Sequence, residues 1–132
     1  MRFERRDRDN AKRRFYQLQE GVDPLTDGRF VISEEQTILR LLENFPFGEV
    51  VRTVLAFVSM LKDYFDGRYK EVPLGTITAI IAAMLYFLMP MDVIPDLIPF
   101  VGWIDDAFVI RFCFELVRSD VERYLEQKEN FM

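Results

Sequence analysis

The chain has 132 residues, a formal net charge of −5, half its residues hydrophobic, no His and a single Cys. These counts exclude His-based nucleophile systems and imidazole metal sites, and a lone Cys113 forms no internal disulfide or Cys-x-x-Cys pair. Any chemistry must run on carboxylates, alone or with a hard cation such as Mg²⁺ or Ca²⁺; no cofactor is required.

Charge is unevenly spread. Residues 1–20 hold seven Arg/Lys and four acids, so +3, against −8 for the remainder. They are too charged for a secretory leader. We read residues 1–30 as a basic arm and loop and 31–132 as a helical domain. The arm suits a solvated helix, supported by Glu4/Arg8 and Asp9/Arg13 at i,i+4 and loosely docked for want of apolar residues. Arg5, Arg6, Lys12, Arg13 and Arg14 are its candidates for contact with an anionic surface. Interleaved acids, and the acidity of the rest, disfavour nucleic acid as a partner. Gly21 to Pro24 and Asp27-Gly28 mark a loop.

Ser33-Glu34-Glu35-Gln36 reads as a capping box opening a helix over 33–44 that carries Ile38, Leu39, Leu41 and Leu42. A second helix follows over 49–66, ended by Gly67. Val50, Val54, Phe57, Val58, Leu61 and Phe65 form its inward face, and Glu49, Arg52, Ser59, Lys62, Asp63 and Asp66 a solvent stripe. From Val72 to Met91 there is no charge. The helix within this run, 74–89, is apolar on nearly every face, which suits either the centre of a bundle or a membrane span over 72–91. At ~1.5 Å per residue it reaches about 24 Å, short of the ~30 Å hydrocarbon core, which favours the bundle.

A Pro- and Asp-rich connector follows. Asp105 or Asp106 is expected to cap a last helix over 105–127, on which Arg111, Glu115, Arg118 and Glu122 form a charged face and Cys113 is a buried small hydrophobe. Asp92, Asp96, Asp105 and Asp106 have two readings. Capping of successive turns is preferred; convergence on a divalent cation, with metal-dependent hydrolysis as its extension, is the alternative. Ile98, Phe100, Val101 and Trp103 are candidates for contact with a membrane interface or a protein partner.

From Tyr86 to Asp106 the chain resembles the signature of the YkvA-like family, Tyr-x-x-x-Pro-x-Asp-x-Ile-Pro-Asp-x-Ile-Pro-x-x-Gly-x-x-Asp-Asp, a group of small, mostly bacterial domains of unknown function. The resemblance spans about residues 50–125. Met89 stands where the family commonly has Ser before the first proline, which removes a hydroxyl there. The resemblance implies an all-helical domain, often membrane-associated, and no particular activity. The expectation is therefore an all-α bundle of about four main helices with a central apolar helix, the Pro/Asp connector and the basic arm. It would be a non-enzymatic module of the cytoplasm, or at the cytoplasmic membrane, meeting a membrane surface or a protein. A homo-oligomer is compatible with it.

Overall fold

A computed structural model describes the backbone of residues 3–89 and 99–130, with side chains at 3–89 and 104–129. Among these residues the chain is an all-α bundle of six helices: α1 (Arg5–Gly21), α2 (Pro24–Ser33), α3 (Glu35–Glu43), α4 (Gly48–Phe65), α5 (Leu74–Leu88) and α6 (Pro99–Asn130). The four expected main helices are α3 to α6. The residues read as an arm and loop hold α1 and α2.

α1 is not loosely docked. Ala11 and Phe15, one turn apart, are buried, and Phe15 meets the ring of Phe112 edge-on at 5.9 Å. Two well-placed residues thus suffice where a full apolar face is lacking. The expected Glu4/Arg8 and Asp9/Arg13 ion pairs do not form: Arg8 donates to the Phe3 carbonyl and Arg13 to the Asn10 side chain. α2 forms where turns were expected. Pro24 occupies its first position, where its missing N–H costs nothing, and the Asp27 carboxylate accepts from the Asp23 amide at 2.8 Å. Gly28 is buried because α2 crosses close to α4: a Cβ there would lie 2.5 Å from the Phe65 ring.

The capping box at Ser33 is absent. Ser33 instead closes α2, its hydroxyl donating to the Phe30 carbonyl at 2.6 Å, and α3 begins two residues later. Ile38 and Leu42 turn inward while Leu39 and Leu41 stay exposed. α4 buries Val50, Val54, Phe57, Val58 and Leu61 of the expected face, with Phe65 half-buried, and is stopped at Gly67, whose φ of +84° is the left-handed conformation glycine tolerates.

α5 is the axis of the bundle, packed against α1, α2, α4 and α6. Ile77, Ile80, Ile81, Ala82, Ala83 and Met84 are all fully buried. A helix surrounded by four others needs no polar face, and that accounts for its composition. Its 15 residues span about 22 Å at ~1.5 Å each. Among the described residues no helix is long and apolar enough to cross a membrane, so the alternative of a span over 72–91 is not supported and the favoured burial in a bundle is what is seen. α6 starts at Pro99, six residues before the expected cap. Ala107, Ile110, Cys113, Val117, Val121 and Tyr124 recur every three or four residues and are buried along its length. That packing outweighs the cost of a helical Gly102, about 1 kcal/mol. α4 and α6 run parallel, joined by Glu49–Arg111 at one end and Asp63–Lys128 at the other.

Candidate functional site

Two polar constellations stand out. The first lies where the start of α1, the end of α5 and the start of α6 meet. Tyr86, half a turn from the end of α5, donates its hydroxyl to Asp105 Oδ2 at 2.5 Å. The Arg14 guanidinium lies over the Tyr86 ring, 5.4 Å from its centre, and the Lys12 ammonium over Phe112 at 5.0 Å. Phe108 stacks on Phe112 and is in turn met by Phe3 at 5.5 Å. The basic helix is therefore fixed to α6 by aromatic contacts rather than by ion pairs.

Asp105 and Asp106 cap nothing, because α6 is already under way when it reaches them. This corrects the capping expectation for these two residues. Their environment is instead one that resists ionisation. Burial raises Asp105, against the opposing effects of the Tyr86 hydrogen bond and the Arg14 charge. Burial first, then the neighbouring charge of Asp105, pushes Asp106 up to about 8. Tyr86 is driven well above the usual tyrosine range by burial and by its bond to Asp105. At neutral pH Asp106 is thus held mainly as the acid, and a cation seeking it would have to displace a proton.

The other half of the expected aspartate cluster, Asp92 and Asp96, lies outside the described residues, as do Ile98 and the side chains of Phe100, Val101 and Trp103. Among the described residues no three carboxylate or thiol side chains gather as a metal site would require. Of the expected anionic-surface residues, Arg5, Arg6 and Arg13 are exposed, as is Arg8, while Lys12 and Arg14 are half-buried on their aromatic partners.

The second constellation was missed from sequence. Asp63, read as part of a solvent stripe, is 5 % exposed. Its Oδ2 accepts from the buried Tyr124 hydroxyl and, at 3.4 Å, from Lys128. Ser59 lies 2.6 Å from the Tyr124 oxygen and also accepts from Lys128. The signal was present as Ser59/Asp63 and Tyr124/Lys128, each at i,i+4, but their partnership spans more than sixty residues. Burial works to lower Lys128, yet its bond to Tyr124 and the charge of Asp63 outweigh it and hold the ammonium protonated. A charged lysine does not take the Ser59 proton, so this is no Ser–Lys nucleophile pair.

A bacterial relative matches part of this chain. The chain is 35 % identical over 74 residues to a protein of Bacillus subtilis (strain 168) named "Uncharacterized membrane protein YkvA", an alignment covering 56 % of this chain and 70 % of that one. The chain belongs to the YkvA-like family. A family model described as "Protein of unknown function (DUF1232)" matches residues 76–112. In this YkvA-like chain the matched segment runs from the first turn of α5 into α6 and contains Tyr86, Asp105 and Asp106, but none of Ser59, Asp63, Tyr124 and Lys128. No solved structure matches.

Proposed function

We propose that this protein is a non-enzymatic helical module that attaches peripherally to an anionic membrane surface through α1. The observation that carries the proposal is the state of its cations. α1 holds six, and none makes an ion pair among the described residues, whereas six of the ten that follow it in the chain (Lys62, Arg68, Arg111, Arg118, Arg123 and Lys128) do. In a chain of net charge −5, an exposed helix of unneutralised arginines is a concentrated site for anions. The printed name of the Bacillus relative, a membrane protein, supports the reading. In this proposal Ile98, Phe100, Val101 and Trp103 add apolar contact.

Sedimentation with phosphatidylglycerol vesicles, against phosphatidylcholine vesicles, tests it. Binding should require the anionic lipid and weaken as salt is added. Replacing Arg5, Arg6 and Arg13 together by Gln should lower the affinity about 100-fold, at about 1 kcal/mol per basic residue. A protein that ignores anionic vesicles at low salt refutes the proposal and points to a protein partner for the module; binding that survives the triple substitution refutes the role of α1.

A further inference from the structure

α3 and α4 leave a cleft of about 200 Å³ between them, reached at one end by Lys128 of α6. The cleft lies outside the matched family segment and outside the α1 surface. That volume is the share of about seven liquid waters, below the ~300–1,000 Å³ typical of drug-sized sites, so its occupant is compact. Its two ends differ chemically. Ile38, Leu39, Leu55 and Val58 make an apolar wall. The other end carries Glu35, Asp63 and Asp66 against Lys62, Arg68 and Lys128, three charges of each sign.

Not all of those charges are satisfied. Lys128 spends its protons on Ser59, Asp63 and Tyr124, and Lys62 pairs with Glu35 at 3.2 Å. Asp63 differs. Its side chain is 7 % exposed and its Oδ2 is bonded, but Oδ1 accepts no hydrogen bond among the described residues and faces only the Arg68 guanidinium at 3.9 Å. Among the described residues Arg68 in turn makes no side-chain hydrogen bond, and the exposed Asp66 carboxylate makes no hydrogen bond or ion pair. The rim is nevertheless held in place: the Arg68 and Tyr69 amides both donate to the Asp63 carbonyl, at 2.9 and 3.1 Å, around the left-handed Gly67.

We infer that the cleft binds a small zwitterion with an apolar arm, an aliphatic α-amino acid. Its ammonium takes Oδ1 of Asp63, the carboxylate oxygen that accepts no hydrogen bond among the described residues and stays open to solvent, since no buried side-chain oxygen there lacks a partner. Its carboxylate takes the Arg68 guanidinium displaced from that oxygen, a planar fork suited to a carboxylate, and the aliphatic side chain lies along Leu39, Leu55 and Val58. The equal charge of the lining matches a ligand with no net charge. A simple amine would leave Arg68 unpaired, and a simple carboxylate would leave Oδ1 of Asp63 without a donor.

L-leucine, isopentylamine and 4-methylpentanoate, titrated separately while backbone amide resonances are followed, test this. Leucine should give saturable shifts at Val58, Ser59, Asp63 and Arg68, and each single-charge analogue should bind at least about tenfold more weakly, the loss of ~1.4 kcal/mol of charge pairing. Arg68→Gln should weaken leucine about tenfold with the unfolding midpoint unchanged, since Arg68 is exposed. Asp63→Asn should weaken it as much or more. No saturable response to leucine, equal binding of either analogue, or an Arg68→Gln variant that binds leucine as before each overturns the inference.

Discussion

Removing the Asp106 carboxyl should change how stability depends on pH. In the folded chain its pKa lies at about 8, against an ordinary 3.8. Below about pH 4 both folded and unfolded chains hold the proton. Between there and about 8 the folded chain keeps a proton that the unfolded chain has lost, so stability falls as pH rises across that window and levels off above it. The full gap converts to an upper bound of about 6 kcal/mol at 1.36 kcal/mol per pKa unit. The side chain is only partly removed from solvent, so relaxation and water reduce this to about 2–3 kcal/mol. Asp106→Asn keeps the shape and abolishes the charge. Urea unfolding at pH 5, 7 and 9, followed by helical circular dichroism, should show the variant close to the parent at pH 5 and more stable by about 2–3 kcal/mol at pH 9. The comparison cancels the repulsion that an acidic chain accumulates at high pH. Parent and variant curves that run parallel from pH 5 to 9 would refute the reasoning.

Four other outcomes follow from the packing and the site. Phe15→Ala should cost about 3–5 kcal/mol in the same unfolding assay, because the ring is fully buried against Phe112; a loss under about 1 kcal/mol would mean that α1 is a detachable arm. Gly28→Ala should destabilise by about 1–3 kcal/mol, since its new methyl must displace the Phe65 ring; an unchanged midpoint would contradict the close crossing of α2 and α4. Tyr124→Phe removes a donor from Asp63 and an acceptor from Lys128, and should lower stability by about 1–3 kcal/mol with no change in vesicle binding. If Mg²⁺ or Ca²⁺ engages Asp106, calorimetric titration should show affinity rising from pH 6 to 8 with proton release, lost in Asp105→Asn and Asp106→Asn; a pH-independent response rules that contact out.

How much of this was legible follows from where each residue's partners lie. The inward face of α4 and the burial of α5 were readable because a helix's own periodicity states which side must be covered. α2 was not, because Asp23-Pro24 and Asp27-Gly28 carry the composition of turns; Gly28 is small for the sake of Phe65, thirty-seven positions away, and no local pattern says so. The start of α6 was hidden likewise. Gly102 and paired aspartates look like a helix boundary, and the packing that carries the helix through them is tertiary. The site fared unevenly. Asp105 and Asp106 were singled out, but the structure gives them a Tyr86 partner and burial in place of a capping role. Asp63 escaped notice because a charge at a stripe position looks solvated until a tyrosine and a lysine from another helix close over it.

The same distinction bears on how such a chain would meet a membrane in the proposed role. The uncharged run invites the view that α5 itself meets lipid, yet beyond its exposed first residues most of it is already covered by four other helices, and exposing it would mean dismantling the core. A lipid-facing role must then belong to groups that the fold leaves unsatisfied. The apolar core is satisfied by definition, and most of the outer cations have found carboxylates. Among the described residues the arginines of α1 have not, although Asp9 and Glu20 stand on the same helix and the rest of the chain carries an excess of acid. Aromatic rings hold Lys12 and Arg14 in place and so anchor the helix, while Arg5, Arg6, Arg8 and Arg13 stay exposed and, among the described residues, free of carboxylate partners. Anchoring by the ring-stacked cations and attraction by the exposed ones are separable. Arg14→Gln should therefore loosen α1 and lower stability, whereas Arg13→Gln, one residue away, should leave stability intact and weaken only the salt-sensitive binding to anionic vesicles.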